Sequence, residues 1–343
     1  MTAPLHRVAV VIPYFQRDSG ILCRALDGVA AQELPPGVTL RVIVVDDASP
    51  RPAASELASR ANGAPLDIVL IEQENGGPGG ARNAALDRIV AEGAADVVAF
   101  LDSDDIWGPR HVADALTALE KGYDFYCCDN TRPGDYPLFS EHVQVLARGG
   151  AGLAARSVLI DHEGPVRGFP PQELCDDIAV SYLSHTSTVV VRAAAIGGIR
   201  FDPDLRTAGE DRMFWLMLAL SGVRIAVSWR CNVTCGEGVN LFFSAHDWNS
   251  PETVERFGCE LLFAEKLIRQ QDLSQARREY ALARATRSRR AYAFLFLRML
   301  LKRRKPPLGM FRSLLSFDPL LPLRMPPLFL RVLLDRRPAG DKL

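Results

Sequence analysis

Val97-Val-Ala-Phe-Leu-Asp-Ser-Asp-Asp-Ile-Trp107 decides how the chain is read. An apolar run passes directly into Asp102, Asp104 and Asp105. Carboxylates so close together repel one another and resist leaving water, so a cation or hydrogen-bond donors must hold them. The run itself, Ala95–Asp102, is apolar almost throughout instead of alternating, as in a strand covered on both faces of a parallel sheet. Runs of the same kind occupy Val8–Pro13, Leu40–Asp46, Leu66–Glu72 and Tyr123–Cys128. Helical segments separate them, such as Arg82-Asn-Ala-Ala-Leu-Asp-Arg-Ile-Val90, opened by Pro78 and Gly80. The repeated unit predicts an α/β, doubly wound sheet whose ligands lie at the carboxyl ends of the strands.

Polar residues collect at those ends. Strand one runs into Pro13-Tyr14-Phe15-Gln16-Arg17, strand two into Asp46-Asp47-Ala48-Ser49, strand three into Asn75-Gly-Gly-Pro-Gly-Gly80, and strand four into the acids. An aromatic, several carboxylates, a glycine-rich turn and an Arg make up a nucleotide site. The glycines lack the spacing of a dinucleotide fingerprint and there is no Walker motif, so a flexible turn explains them alone. Arg82, just inside the following helix, is placed to meet a diphosphate. Asp46-Asp47 reads either as a turn and helix cap or as an acceptor for the imide N–H of uracil, with Phe15 as the stacking face. A helix cap in a solvated loop absorbs one or two of the acids at 102–105 but not all of them. Mg²⁺ or Mn²⁺ takes one or two carboxylates and leaves positions for phosphate oxygens, and a remaining acid can bond a ribose hydroxyl.

Glu210-Asp211 opens a helix that runs to Ser221. Acids there are stabilised by the helix dipole, typically by ~0.3–1 kcal/mol, and that alone explains them. The functional reading makes Asp211 a general base for an incoming hydroxyl, with Glu210 orienting the acceptor. His185 and His246 read as structural or substrate-contacting groups in preference to metal ligands. Cys235-Gly-Glu-Gly-Val-Asn240, with His246 and Trp248 behind it, reads as a lid over bound nucleotide or as an ordinary loop. Cys231 and Cys235 have no second pair at zinc spacing, and alternation along a strand explains them. Seven cysteines in 343 residues argue for reduced thiols.

With 48% hydrophobic and 24% charged residues the chain is globular, and a net charge of -1 gives no general attraction for nucleic acid. The N-terminus enters a strand without a signal-like segment, so a cytoplasmic location is expected. The expected organisation is one domain over 1–249, with a nucleotide-binding half at 1–130 and an acceptor-binding half at 131–249, followed by a helical extension at 250–343. Within that extension Tyr292–Leu301 falls short of the ~20 apolar residues of a membrane span. Lys302-Arg-Arg-Lys305 beside Phe311, Leu314, Leu315 and Phe317, then Leu328–Leu334, suits a helix lying on anionic lipid at the inner face of the plasma membrane.

Taken in order, Val11-Ile-Pro-Tyr-Phe15, Val44-Val-Asp-Asp-Ala-Ser49, Gly79-Gly-Ala-Arg-Asn83, Phe100-Leu-Asp-Ser-Asp-Asp-Ile-Trp107 and Gly209-Glu-Asp211 resemble the motifs of family 2 glycosyltransferases. The resemblance spans residues 7–220. It implies a GT-A fold, a Rossmann-like mixed and mainly parallel sheet flanked by helices, with a UDP-sugar donor, a divalent metal and inversion at the anomeric carbon. Matched motif to motif, Phe15 lies where a base-stacking aromatic falls, with Pro13 beside it as a nucleotide-binding residue, Asp47 where uracil binds, and Arg82 where the nucleotide is contacted. Asp104 falls at the ribose contact, Asp105 at the metal with Asp104 beside it, Asp102 in a supporting place, and Asp211 at the catalytic base. The family's processive synthases carry Gln-x-x-Arg-Trp, absent here, so one sugar per encounter is expected. Beyond residue 220 the looser resemblance is to bacterial exopolysaccharide transferases of the succinoglycan glucosyltransferase kind, and the basic and apolar tail leads to the expectation of a glycan or polyprenyl-linked oligosaccharide acceptor. A sugar nucleotidyltransferase and a catalytically inactive nucleotide-sugar-binding scaffold are the alternatives.

Overall fold

The computed structural model describes residues 5–60, 63–93, 95–143, 146–147, 151–161, 165–236, 250–270 and 273–335. They form two compact units, Met1–Phe201 with Phe214–Val239, and Asp202–Met213 with Asn240–Leu343.

The first unit is built on one mixed sheet of ten strands. These are β1 (Arg7–Tyr14), β2 (Thr39–Asp46), β3 (Asp67–Glu72), β4 (Val97–Phe100), β5 (Ile106–Trp107), β6 (Phe125–Thr131), β7 (Val158–Asp161), β8 (Val166–Phe169), β9 (Val189–Arg192) and β10 (Ile225–Thr234). The spatial order is β3-β2-β1-β4-β9-β6-β10-β8-β7, with β5 on β10. Numbering only helices of seven residues or more, α1 (Ile21–Ala30), α2 (Ala53–Ser59), α3 (Gly77–Glu92) and α4 (His111–Glu120) connect the early strands. Val10, Val11, Ile12, Val42, Val44, Val97, Ala99 and Phe100 are fully buried, which is why their runs are apolar without alternation.

The parallel repeat stops sooner than the expected doubly wound pattern. β9, Val189-Val-Val-Arg192, enters between β4 and β6 and pairs antiparallel with both. β6 and β10 are parallel to each other, while β8 joins β10 antiparallel. The sheet is therefore mixed, as the GT-A resemblance implies.

Register places the functional loops together. Tyr14 sits opposite Asp46 and Asp46 opposite Glu72, so β1, β2 and β3 end at one level. The amide of Leu101 donates to the Val11 carbonyl at 3.0 Å, which brings the acids after β4 to the same edge.

The second unit contains the start of α5 (Glu210–Leu220) and the helices α6 (Pro251–Ile268), α7 (Gln275–Leu301), α8 (Leu308–Phe317) and α9 (Leu321–Leu334). Ser250 and Ser274 cap α6 and α7, their Oγ atoms accepting the amides of Thr253 and Arg277 at 3.1 and 3.2 Å. Tyr292, Leu295, Phe296 and Met299 on α7 are buried, so the segment Tyr292–Leu301 is a packed helix.

Candidate active site

The loops after β1, β2 and β4 are tied together through the side chain and the backbone N–H of Gln16. Gln16 donates from Nε2 to Ser103 Oγ at 3.0 Å, and its amide donates to Ser49 Oγ at 2.8 Å. Tyr14 is fully buried, and burial pushes its hydroxyl pKa up to about 12, whereas Pro13 and Phe15 are half-buried at the edge. Of the two neighbouring aromatics, Phe15 is the one with a face available.

Asp47 anchors the glycine-rich loop. Its Oδ1 accepts from Gln73 Nε2 at 2.8 Å and from the Gly76 amide at 2.7 Å, and its Oδ2 accepts from the Gly77 amide at 2.8 Å. Gly77 has φ 77°, a conformation that favours glycine, so these N–H groups converge on the carboxylate at the start of α3. Asp46 is used locally, accepting from the amides of Ser49 and Ala53 at 2.8 and 2.7 Å.

The acids after β4 are held by different means. Buried Arg82 donates from Nη2 to Asp102 Oδ1 at 2.7 Å, and its guanidinium lies over the Phe201 ring at 5.3 Å. Burial works to raise the Asp102 pKa, but the charges of Arg82 and His185 outweigh it and hold the carboxyl below its usual range. Asp105 has only 2% exposure. Ser187 Oγ donates to its Oδ2 at 2.5 Å and accepts the Asp102 amide at 2.9 Å, while the Gly236 amide donates to Oδ1 at 2.8 Å. His185 Nδ1 stands 3.4 Å from Oδ2. Burial drives the Asp105 pKa up to about 6, with Asp104 and Asp102 adding to the shift against the opposing pull of His185.

Asp104 is half-buried, and its backbone carbonyl faces Gly236. A Cβ on Gly236 would lie 1.9 Å from that oxygen, so only glycine lets the end of β10 approach this closely.

One ligand atom each from Asp105, His185 and Cys235 lie within 4.8 Å of one another. His185 Nδ1 is buried and makes no hydrogen bond among the described residues. Burial lowers the His185 pKa, but Cys235 and Asp105 more than reverse this and push it up to about 10, so without another cation the imidazole carries the compensating charge. An orphaned ring nitrogen, a carboxylate short of positive partners and a thiol fit a divalent cation. The nitrogen and sulfur donors suit Mn²⁺ or a softer ion better than Mg²⁺, which prefers oxygen alone.

Sequence reasoning set His185 and Cys235 aside as ligands and did not consider Ser187. The signal for Cys235 was its place just past a strand that ends at the ligand edge, followed by a glycine. Asn240, His246 and Trp248 lie outside the described residues.

Glu210 and Asp211 belong to the second unit and form the first turn of α5. Gly209, with φ 87°, turns the chain into the helix. The Arg212 amide donates to Asp211 Oδ1 at 2.6 Å, and the Arg212 guanidinium lies 4.2 Å over the Phe263 ring. Glu210 is buried to 9% exposure.

A sequence model described as "Glycosyl transferase family 2" matches residues 9–177. The chain is 35% identical over 255 residues to the succinoglycan biosynthesis protein ExoW of Rhizobium meliloti, covering 74% of this chain and 75% of that one. Its fold resembles Staphylococcus aureus TarS 1-349 in complex with UDP-GlcNAc, with a TM-score of 0.54, 20% identity, and coverage of 95% of this chain and 85% of that one. A second fold neighbour is the mannosyltransferase PcManGT from Pyrobaculum calidifontis in complex with GDP-Man and Mn²⁺, at TM-score 0.54 and 16% identity, covering 98% of this chain and 89% of that one.

Proposed function

The chain belongs to glycosyl transferase family 2, and we propose that it moves one sugar from a UDP-sugar to a hydroxyl of a glycan acceptor, with inversion, in bacterial exopolysaccharide or surface polysaccharide synthesis. The observation that carries this reading is the acid cluster at the carboxyl end of β4, with Asp105 set against His185 and Cys235. Pro13 and Phe15 frame the uracil face. Asp47 shapes the base pocket through the glycine loop, and its Oδ2, which accepts from the Gly77 amide, has a second lone pair to offer the imide N–H. Asp104 takes a ribose hydroxyl, and Arg82 acts on the nucleotide side through its pairing with Asp102. Asp105, with Asp104, His185 and Cys235 at hand, would hold Mg²⁺ or Mn²⁺. That ion, when bound, neutralises charge on the departing diphosphate, a contribution of several kcal/mol. Asp211 takes the proton from the acceptor hydroxyl as its oxygen attacks the anomeric carbon opposite the leaving UDP, and Glu210 orients the acceptor.

Incubation with a panel of UDP-sugars, an acceptor extract and Mn²⁺ tests the class. A glycosyltransferase releases UDP and lengthens the acceptor. A nucleotidyltransferase would instead release pyrophosphate from UTP and a sugar 1-phosphate, offered in a parallel reaction, and no product from either set of substrates would leave a scaffold.

The acceptor in this reading is polyprenyl-linked and is met at the inner membrane face. No helix among the described residues is long and apolar enough to cross a membrane. Leu323 and Leu334 of α9 are 74% and 79% exposed, Leu330 and Leu333 are exposed beside them, and Arg324 and Arg331 lie on the same helix. From Arg289 to Arg337 the chain carries acids only at Asp318 and Asp335. Basic groups beside an unburied apolar face favour anionic lipid. The expected result is that Leu323→Glu with Leu330→Glu abolishes flotation with phosphatidylglycerol vesicles while the melting temperature holds. Equal flotation of variant and parent refutes membrane docking through α9.

A further inference from the structure

The second unit gathers arginines where α6 packs on α7. Arg256 and Glu260 stand one turn apart on α6, and Tyr280, Arg284 and Arg287 follow at one-turn spacing on α7. Arg212, from the first turn of α5, lies over Phe263 at 4.2 Å and over Tyr280 at 5.8 Å, while Arg284 approaches the same Tyr280 ring at 5.9 Å. Two guanidiniums thus share one aromatic ring. Glu260 is paired with Arg284 at 3.5 Å and also receives the Ser288 hydroxyl at 3.3 Å.

The positive charge is under strain. Burial lowers the Arg212 pKa and Arg284 lowers it further, though Tyr280 opposes them. Burial lowers that of Arg256 as well, and Arg284 and Arg287 add to the effect against Glu260. Arg284 Nε is buried with no hydrogen-bond partner among the described residues. A guanidinium with one buried, unused N–H donor, set among like charges, is suited to bind a phosphate oxyanion through forked hydrogen bonds.

We propose that Arg212, Arg256 and Arg284 form a binding site for a phosphate or diphosphate group of the acceptor. The proposal rests on the transferase reading above for its occupant. A polyprenyl-linked sugar carries such a group close to its reducing end, and Arg212 adjoins Asp211, whose Oδ1 accepts its amide. An anion held by these arginines brings the acceptor to the residue assigned as base.

The test is binding of inorganic pyrophosphate to the full-length protein by isothermal titration calorimetry, with no turnover required. Arg284→Gln should weaken it by about tenfold or more, since it removes a charged, forked donor. Arg284→Lys, which keeps the charge and loses the fork, should weaken it less and serves if the Gln variant does not fold. Arg278→Gln, at an exposed position of α7, should bind as the parent does. Equal pyrophosphate affinity in parent and Arg284 variants overturns the site. A parallel loss of UDP affinity would assign the cluster to the donor, and a loss of flotation on phosphatidylglycerol but not phosphatidylcholine vesicles would assign it to lipid headgroups. Either result overturns the acceptor assignment. Pyrophosphate binding that survives while every donor fails to react would sink the transferase reading alone.

Discussion

Asp211→Asn is expected to lower the rate of sugar transfer by about 10²–10⁴-fold, the usual contribution of a positioned general base. UDP affinity should stay within a factor of a few. Asparagine keeps the size of the side chain and a carbonyl oxygen that can still accept the Arg212 amide now bonded to Oδ1 at 2.6 Å. The first turn of α5 then has no reason to move, and the melting temperature should be unchanged. What is lost is the ability to take a proton from the acceptor hydroxyl. Single-turnover transfer from a radiolabelled donor, set beside calorimetric UDP binding, separates the chemical step from donor capture. Transfer at the parental rate would remove Asp211 from the mechanism, whereas a joint loss of UDP binding would show that the substitution had disturbed more than the base.

The early strands were legible because β1, β2 and β4 are buried on both faces and therefore spell themselves as apolar runs. The place of β9 in the sheet was not legible. Four residues, Val189-Val-Val-Arg192, carry no sign of direction, and their antiparallel pairing between β4 and β6 is decided by partners far away in the chain. The two residues of β5 and the four each of β7 and β8 are too short to show a period. The acids at 102–105 announced a charge problem, and much of its solution was hidden in distant residues. Arg82 answers Asp102, while Ser187, His185 and the Gly236 amide answer Asp105. Asp47 shows a different limit, because the donors that occupy it are largely backbone N–H groups of Gly76 and Gly77, which no side-chain pattern reveals. Cys235 was weighed by its spacing from Cys231, yet its relevant neighbours are Asp105 and His185.

Asp105→Ala is expected to reduce metal-supported UDP release by about 10²–10³-fold, the rate equivalent of losing several kcal/mol of charge stabilisation on the leaving group. Asp105 is the one carboxylate in the group that also contains His185 Nδ1 and Cys235 Sγ. Without it, the neutral imidazole of His185 and the thiolate of Cys235 remain, and a divalent cation bound there has one negative ligand fewer to offset its charge in a buried site. The apo protein should also lose stability. Ser187 Oγ and the Gly236 amide would each forfeit their acceptor, and an unsatisfied buried donor costs about 1–3 kcal/mol. His185, held protonated partly by this carboxylate, would lose that support while keeping the influence of Cys235 and Asp102. The comparison that isolates the metal is Cys235→Ser, which retains Asp105 and replaces a soft donor by a hard one. It should keep most of the turnover with Mg²⁺ while weakening the response to thiophilic ions. Titration of UDP release with Mg²⁺, Mn²⁺ and Zn²⁺ across parent, Asp105→Ala and Cys235→Ser gives the answer. If Asp105→Ala follows the parental Mn²⁺ curve in both midpoint and plateau, the cation is held elsewhere, and the group at Asp105, His185 and Cys235 serves only to pin the end of β10 against the loop after β4.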